Sequence, residues 1–356
     1  MKAWEKAIRK VKPYVPGEQP KDKSVIKLNT NENPYPPAPG VERIIKNMEI
    51  DSLRLYPDPS ISLLTEELAA FYQVDKDQVF VGVGSDDVLA MAFLTFFNSE
   101  KPVLFPDVTY SFYPVWCDLY RIPYEVQPLD GEFRIVKEDY YKDNGGIVIA
   151  NPNAPTSIYE DIAVIEDIVS HNPDSVVIID EAYIDFAGGS ALSLIDRYEN
   201  LLIVQTFSKS RSMAGMRIGY AIGSMKLIKA LNDVKYSFNS YTLNQAAILS
   251  GVEAVKDKKY FDERIEDIIA VRREAEKSFK KLGFHFPQSG ANFLFVTHES
   301  IQAKELYEVL TENKILIRYF ELPRINNYLR VTIGSKEQMD VLFNFLNKYI
   351  IADNHL

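Results

Sequence analysis

Leu201-Leu202-Ile203-Val204-Gln205-Thr206-Phe207-Ser208-Lys209 is an apolar run that ends in hydroxyls and a lysine. Its length and composition read as a buried strand over 201–205. The lysine then lies just beyond a strand's carboxyl end, where open α/β sheets leave the crevice in which ligands bind. A second run, Val176-Val177-Ile178-Ile179, passes straight into Asp180-Glu181-Ala182-Tyr183. Short apolar runs recur at 79–83, 103–105, 147–150 and 218–222, most of them separated by helical-length segments. Helices are expected over 63–72 and 85–97. This alternation predicts an α/β domain on a largely parallel sheet with both faces covered.

Outward from that core, the pattern turns helical from residue 225, then over 244–255 and 261–282. Strands are expected at 292–296, 315–318 and 328–333, closed by a helix over 336–349, which makes a smaller α+β unit. A chain of 356 residues also exceeds what one hydrophobic core usually serves. The expected division is an N-terminal arm (1–34), a large domain (35–255), and a small C-terminal domain (256–356) that packs with the N-terminal segment. In the arm, residues 4–11 suit a short amphipathic helix. Residues 29–41 hold four prolines and three asparagines and read as a loop.

Forty basic against fifty acidic side chains leave a net charge of -10, without the basic surface that nucleic acid or anionic lipid requires. Cys117 is the single cysteine, so no internal disulfide forms, and the four histidines are scattered, so no metal site is expected. No stretch approaches the ~20 apolar residues of a membrane span, and none resembles a signal peptide. The expected location is the cytoplasm.

Five segments carry chemistry. The amine of Lys209 could form a Schiff base with a carbonyl cofactor if its surroundings lowered its pKa. Thr206, Ser208 and Arg217 could hold a phosphate through hydroxyls and a guanidinium fork. Asp180, at a strand end, can pair with a protonated pyridine nitrogen, and Tyr183 can reach a phenolic ring oxygen. In Gly82-Val83-Gly84-Ser85-Asp86 a strand runs into a helix whose free N–H groups suit a phosphate. A nicotinamide fingerprint would need a third glycine where Asp87 stands. Tyr110 could stack on a flat ring, with Phe112, Tyr113 and Trp116 read as packing residues. Arg330, in Tyr328-Leu329-Arg330-Val331-Thr332-Ile333, is a carboxylate clamp or an exposed charge. Taken singly, each segment also reads as ordinary structure: a solvated lysine, a capping aspartate, a plain strand-to-helix turn.

In combination and in this order, the segments resemble the fold-type I pyridoxal-phosphate (PLP) aminotransferases. A narrower likeness, to the histidinol-phosphate aminotransferases, lies in Pro13-Tyr14-Val15-Pro16-Gly17, Leu28-Asn29-Thr30-Asn31-Glu32-Asn33-Pro34-Tyr35, Leu55-Tyr56-Pro57-Asp58 and Leu329-Arg330-Val331-Thr332-Ile333-Gly334. It covers nearly the whole chain. It implies the PLP-dependent transferase fold type I and transamination between histidinol phosphate, a phosphorylated amino alcohol, and 2-oxoglutarate, with glutamate as the other amino donor, in histidine biosynthesis. By the same resemblance Lys209 is the Schiff-base lysine and proton carrier, Asp180 pairs with the pyridine nitrogen, and Tyr183 with the ring oxygen. Gly84, Ser85, Asp86, Thr206, Ser208 and Arg217 hold the phosphate, and Tyr110 stacks. Tyr56 reaches the phosphate of the neighbouring subunit, which implies a homodimer. Arg330 anchors the substrate's anionic group, with Arg318, Asn33 and Tyr14 beside it.

One segment departs from the family pattern. Asn151-Pro152-Asn153-Ala154-Pro155-Thr156-Ser157 has Ala154 where a second asparagine usually bonds the ring oxygen, and Ser157 where a glycine usually stands. Either Asn153 substitutes through a shifted loop or Tyr183 acts alone, and the serine implies a slightly different turn. Related readings are a threonine-phosphate decarboxylase and an aromatic or broad-specificity aminotransferase. A non-enzymatic regulatory module would call for a basic DNA-binding region that this length and charge do not suggest.

Overall fold

The computed structural model describes residues 1–22 and 24–353, with 351–353 described by backbone alone. Among them, seven strands form one sheet in the order Val79–Gly82, Gly219–Gly223, Leu201–Thr206, Val177–Asp180, Gly146–Ala150, Val103–Pro106, Tyr124–Gln127. Gly219–Gly223 runs antiparallel to both its neighbours, while the other pairings are parallel. The sheet is therefore mostly parallel, as expected, and mixed through this one reversed strand.

Side chains that alternate along these strands go to opposite faces. Ile147, Ile149, Ile179, Leu201 and Ile203 meet Leu64, Leu68, Ile165, Ile168 and Ile248 on one face. Those partners lie on helices Ser62–Tyr72, Ile162–His171 and Gln245–Lys256. On the other face Val148, Ile178, Leu202 and Val204 meet Val88, Phe93, Tyr113, Trp116 and Ile228, from helices Ser85–Phe96, Phe112–Tyr120 and Met225–Phe238. Each such side chain, fully buried, contributes roughly 1.5–3 kcal/mol. Strand Tyr124–Gln127, at the edge, is mostly exposed.

A second sheet is antiparallel, in the order Arg318–Tyr319, Leu329–Thr332, Phe293–His298, Phe284–His285. Ile268, Phe279, Leu306 and Leu342, from three helices, share its apolar cluster. Strand Ile26–Lys27 pairs in parallel with Ile315–Leu316, which fastens the arm to this unit.

Several expected elements differ. The helix expected at 4–11 is only Ala3–Lys6, with no buried residue and Trp4 62 % exposed; a short helix that buries no apolar face is marginal. The proline-rich loop ends early, because Pro39 opens helix Pro39–Asn47 at the position that tolerates a missing N–H. The strand expected at 315–318 divides in two, since Ile315–Leu316 serves the arm and Arg318–Tyr319 the antiparallel sheet.

The reversed strand creates the site. At the sheet's carboxyl edge Gly219 is registered against Thr206 on one side and Gly82 on the other. A Cβ on Gly219 would lie 2.2 Å from the amide nitrogen of Ser85 and 2.3 Å from the carbonyl carbon of Gly84. Only a bare backbone lets the amino end of helix Ser85–Phe96 approach this closely. Gly219→Ala is expected to destabilise the protein by roughly 1–3 kcal/mol or more, read as a lower midpoint in chemical denaturation. An unchanged midpoint would contradict the close approach.

Candidate active site

Three consecutive residues of the arm hold three groups of the site. Thr30 offers its carbonyl oxygen to Lys209 Nζ at 3.1 Å. Asn29 offers its own to Arg330 Nη2 at 2.8 Å, and Asn31 Nδ2 donates to the Tyr183 hydroxyl at 2.9 Å. Asn31 sits at φ +56°, and Thr332 Oγ1 accepts from its N–H at 3.0 Å and donates to its Oδ1 at 3.1 Å.

Lys209 also lies 5.8 Å over the Tyr183 ring. Burial pulls its ammonium from 10.5 down to about 8, and the positive charge of Arg330 acts in the same direction. Asp180, 5 % exposed, ends strand Val177–Asp180. Burial pushes its carboxyl up to about 6, against hydrogen bonds from Tyr113 and the Ala182 amide. Tyr113 donates to Oδ2 at 2.9 Å and Ala182 N–H to Oδ1 at 3.2 Å. Among the described residues, neither Lys209 nor Asp180 forms an ion pair. Burial also raises the Tyr183 phenol, which therefore remains a donor.

A second pole lies at the helix amino end. Gly84 is its N-cap at φ +84°, and a Cβ there would be 2.4 Å from Arg217 Nη2. The guanidinium thus lies directly over bare backbone. Thr206 Oγ1 donates to Ser208 Oγ at 3.0 Å and accepts from Ser208 N–H at 3.1 Å, which gathers two hydroxyls beside it. The Asp86 carboxylate turns to Arg217 at 3.3 Å and accepts from the Tyr110 hydroxyl at 2.7 Å. Its contribution to an anion is therefore its N–H, with the carboxylate holding the arginine and tyrosine in place.

A third pole is cationic. Arg318 and Arg330 stand directly opposite each other on paired strands, a like-charge arrangement that is unfavourable without an anion between them. Neither has a described carboxylate partner, and Arg330 Nε is buried with no hydrogen-bond partner. The Arg330 guanidinium packs against the rings of Phe293 and Phe320, at 5.4 and 5.6 Å. Tyr14 stacks on Phe112 with centroids 4.2 Å apart, close enough to Arg330 and Tyr110 to influence their ionisation.

Three expected contacts are drawn differently. Asn33 donates to the carbonyls of Lys209 (3.0 Å) and Ser210 (3.1 Å) and accepts from Tyr35 N–H (3.0 Å); its polar atoms are spent on backbone, so it positions the lysine loop instead of reaching a substrate. Asn153 turns to its own loop and to the segment 108–109. Its amide donates to Val108 O and Thr156 Oγ1, both at 2.9 Å, and its oxygen accepts from Thr109 at 2.8 Å, which makes it a strut beneath the Tyr110 turn. Ser157 keeps a left-handed φ of +65°, a conformation that glycine favours and that costs about 1 kcal/mol or more with a side chain. Ala154 packs in the apolar cluster of Tyr183. Tyr56, 82 % exposed, stacks on Tyr241 at 4.6 Å and contacts none of the described groups above.

Sequence reasoning missed Asn29, Thr30 and Asn31, although the alternating asparagines of the loop were a signal. It also gave Tyr113 packing alone. Arg324 was missed as well: it donates to Asp107 Oδ2 (2.6 Å) and to the carbonyls of Leu129 (2.8 Å) and Asp130 (2.7 Å). That fork fastens the loop between the two arginine strands to the segment that leads into Tyr110.

The donor set fits a flat, phosphorylated pyridine aldehyde. The buried amine would meet the aldehyde, the buried carboxylate without an ion-pair partner suits a ring cation, the phenol suits the ring oxygen, and glycine backbone with Arg217 would cradle the phosphate. The family model for aminotransferases of class I and II matches residues 23–346. A histidinol-phosphate aminotransferase of Clostridium botulinum (strain Okra / Type B1) is 49% identical over 349 residues, 98% of this chain and 99% of that protein. The crystal structure of the histidinol-phosphate aminotransferase from Clostridium acetobutylicum superposes with a TM-score of 0.83 at 23% identity, covering 92% of this chain and 99% of that one. The Sinorhizobium meliloti enzyme of that name, solved in complex with pyridoxal-5'-phosphate, gives 0.81 at 20% identity, over 91% and 90%. The chain belongs to the class I and II aminotransferases, and within them to the histidinol-phosphate aminotransferases.

Proposed function

We propose that the protein transfers an amino group between histidinol phosphate and 2-oxoglutarate, yielding imidazole-acetol phosphate and glutamate, in histidine biosynthesis. The observation that carries this beyond transamination in general is the pair Arg318–Arg330, two opposed guanidinium groups with no described carboxylate partner. A guanidinium fork accepts phosphate or carboxylate equally well, so one pair can serve a phosphorylated amino alcohol and then a dicarboxylic acid. Tyr14, on the arm, closes the same side.

Lys209 would hold PLP, with Asp180 at the ring nitrogen, Tyr183 at the ring oxygen, Tyr110 against the ring face, and Gly84, Ser85, Asp86, Thr206, Ser208 and Arg217 around the phosphate. When bound, PLP supplies a cationic ring that accepts electron density from the substrate's amino carbon. Lys209 Nζ, neutral above about pH 8, takes the proton from that carbon and returns it. Asp180 would supply the negative charge that holds the ring cation, and the arginines would orient the substrate toward the lysine.

The working unit we propose is a homodimer. Close to Tyr56 in the chain, Ile50, Leu53 and Leu55 are exposed, as is Phe238 near its stacking partner Tyr241, and exposed apolar side chains in such number suit an interaction surface. Projecting from it, Tyr56 would complete the phosphate site of the second copy. Among the described residues no helix is long and apolar enough to cross a membrane; the cytoplasm is the place that a role in histidine biosynthesis suggests.

Purified protein mixed with PLP, histidinol phosphate and 2-oxoglutarate is expected to release glutamate; carbon dioxide in its place would mark a decarboxylase and refute the proposal. Arg330→Ala should lower kcat/KM for both amino donors by roughly two orders of magnitude, and a variant unimpaired with either would contradict the shared anchor. Because only a neutral amine is nucleophilic, capture of PLP by the cofactor-free protein should quicken as pH rises through about 8. Stopped-flow absorbance reads that rate, and an inflection near the ordinary lysine value would count against the buried amine.

A further inference from the structure

We propose that Tyr113 is a positioning residue for cofactor chemistry: its phenol O–H fixes the carboxylate of Asp180 in the orientation that holds a cationic ring nitrogen. This deepens the aminotransferase function above and rests on it.

Tyr113 is fully buried on helix Phe112–Tyr120, and its hydroxyl donates to Asp180 Oδ2 at 2.9 Å. The Ala182 N–H engages the other oxygen at 3.2 Å. Two donors on two oxygens define the plane of the carboxylate and leave its remaining lone pairs for one further partner. The phenol cannot swing away. Its ring is packed edge-on to Tyr110 (5.7 Å, 82°) and Phe105 (5.8 Å, 64°) and against Phe93 at 6.1 Å. One side chain thus braces both the carboxylate and the ring expected to cover the cofactor face.

The charges around Asp180 explain why the donor matters. Asp86, at the start of helix Ser85–Phe96, opposes its ionisation, whereas Lys209 favours it. The phenols of Tyr110 and Tyr183 feel its charge. Against burial and a like charge, the Tyr113 hydroxyl is the group that most favours the anion. Burial holds the Tyr113 phenol itself far above its ordinary range, so it stays a proton donor while Asp180 carries charge.

Tyr113→Phe keeps the packed ring and deletes the donor. The variant is expected to bind PLP roughly tenfold more weakly in fluorescence titration, and to lose kcat by a similar factor with little change in KM for the amino donor. The pH at which the bound cofactor changes its visible band should move upward, because a less firmly held ring cation withdraws less electron density from the Lys209 end. Replacing Tyr113 by 3-fluorotyrosine, a stronger donor of nearly the same shape, should move that pH the opposite way. This second variant keeps the test open if Tyr113→Phe folds poorly.

Unaltered PLP affinity and an unmoved band in both variants, with the parent enzyme active, would overturn the role of Tyr113 alone. A parent protein that forms no borohydride-reducible adduct and no glutamate would overturn the aminotransferase function, and this role with it.

Discussion

Two opposite charges, each buried and neither given a counter-ion among the described residues, govern this molecule. Lys209 has a backbone carbonyl for company, and Asp180 a phenol and an amide. Burying an unpaired charge costs several kcal/mol unless the group sheds it, and both residues are displaced toward neutrality. A ligand that bonds to the amine and brings a cation to the carboxylate relieves both at once. Cofactor affinity is thus written into the apo-protein as discomfort at two buried points.

The rest of the fold keeps those points in place. Parallel strands carry Asp180 and Thr206 to one edge of the sheet, and Lys209 lies just beyond it; the reversed strand, through Gly219, draws the helix amino end against the same edge. From the other unit, Arg324 and the arm residues Asn29 to Asn31 bring the arginine pair into register with the lysine. Most of these contacts are made by backbone atoms or by side chains bonded to backbone. The chemistry is carried by few groups and the precision by many.

Much of this was legible from residue order, because apolar runs that end abruptly in a charge mark strand ends in an α/β sheet. Lys209 and Asp180 were visible for that reason, and Gly84 and Ser85 because a glycine-rich turn opens a helix. Three things were not. The reversal of Gly219–Gly223 left no trace in its apolar pattern, which a buried strand shows in either direction. Asn29 and Asn31 act on residues up to 301 positions away, so no local period announces them. Tyr113 sits in a run of aromatics whose burial conceals what its hydroxyl does. The partners of Asn33 and Asn153 were hidden for a related reason: an amide in a loop readily finds backbone groups far along the chain.

The facing arginines have a bearing on metabolism. Two guanidinium groups opposed without an acid between them repel each other until some doubly charged oxyanion arrives. Inorganic phosphate, abundant in any cell, meets that description as well as a metabolite's phosphoryl group does. A site built to take a phosphoryl group by charge and fork geometry alone discriminates little among oxyanions of that size, so its selectivity rests on what the rest of the substrate touches.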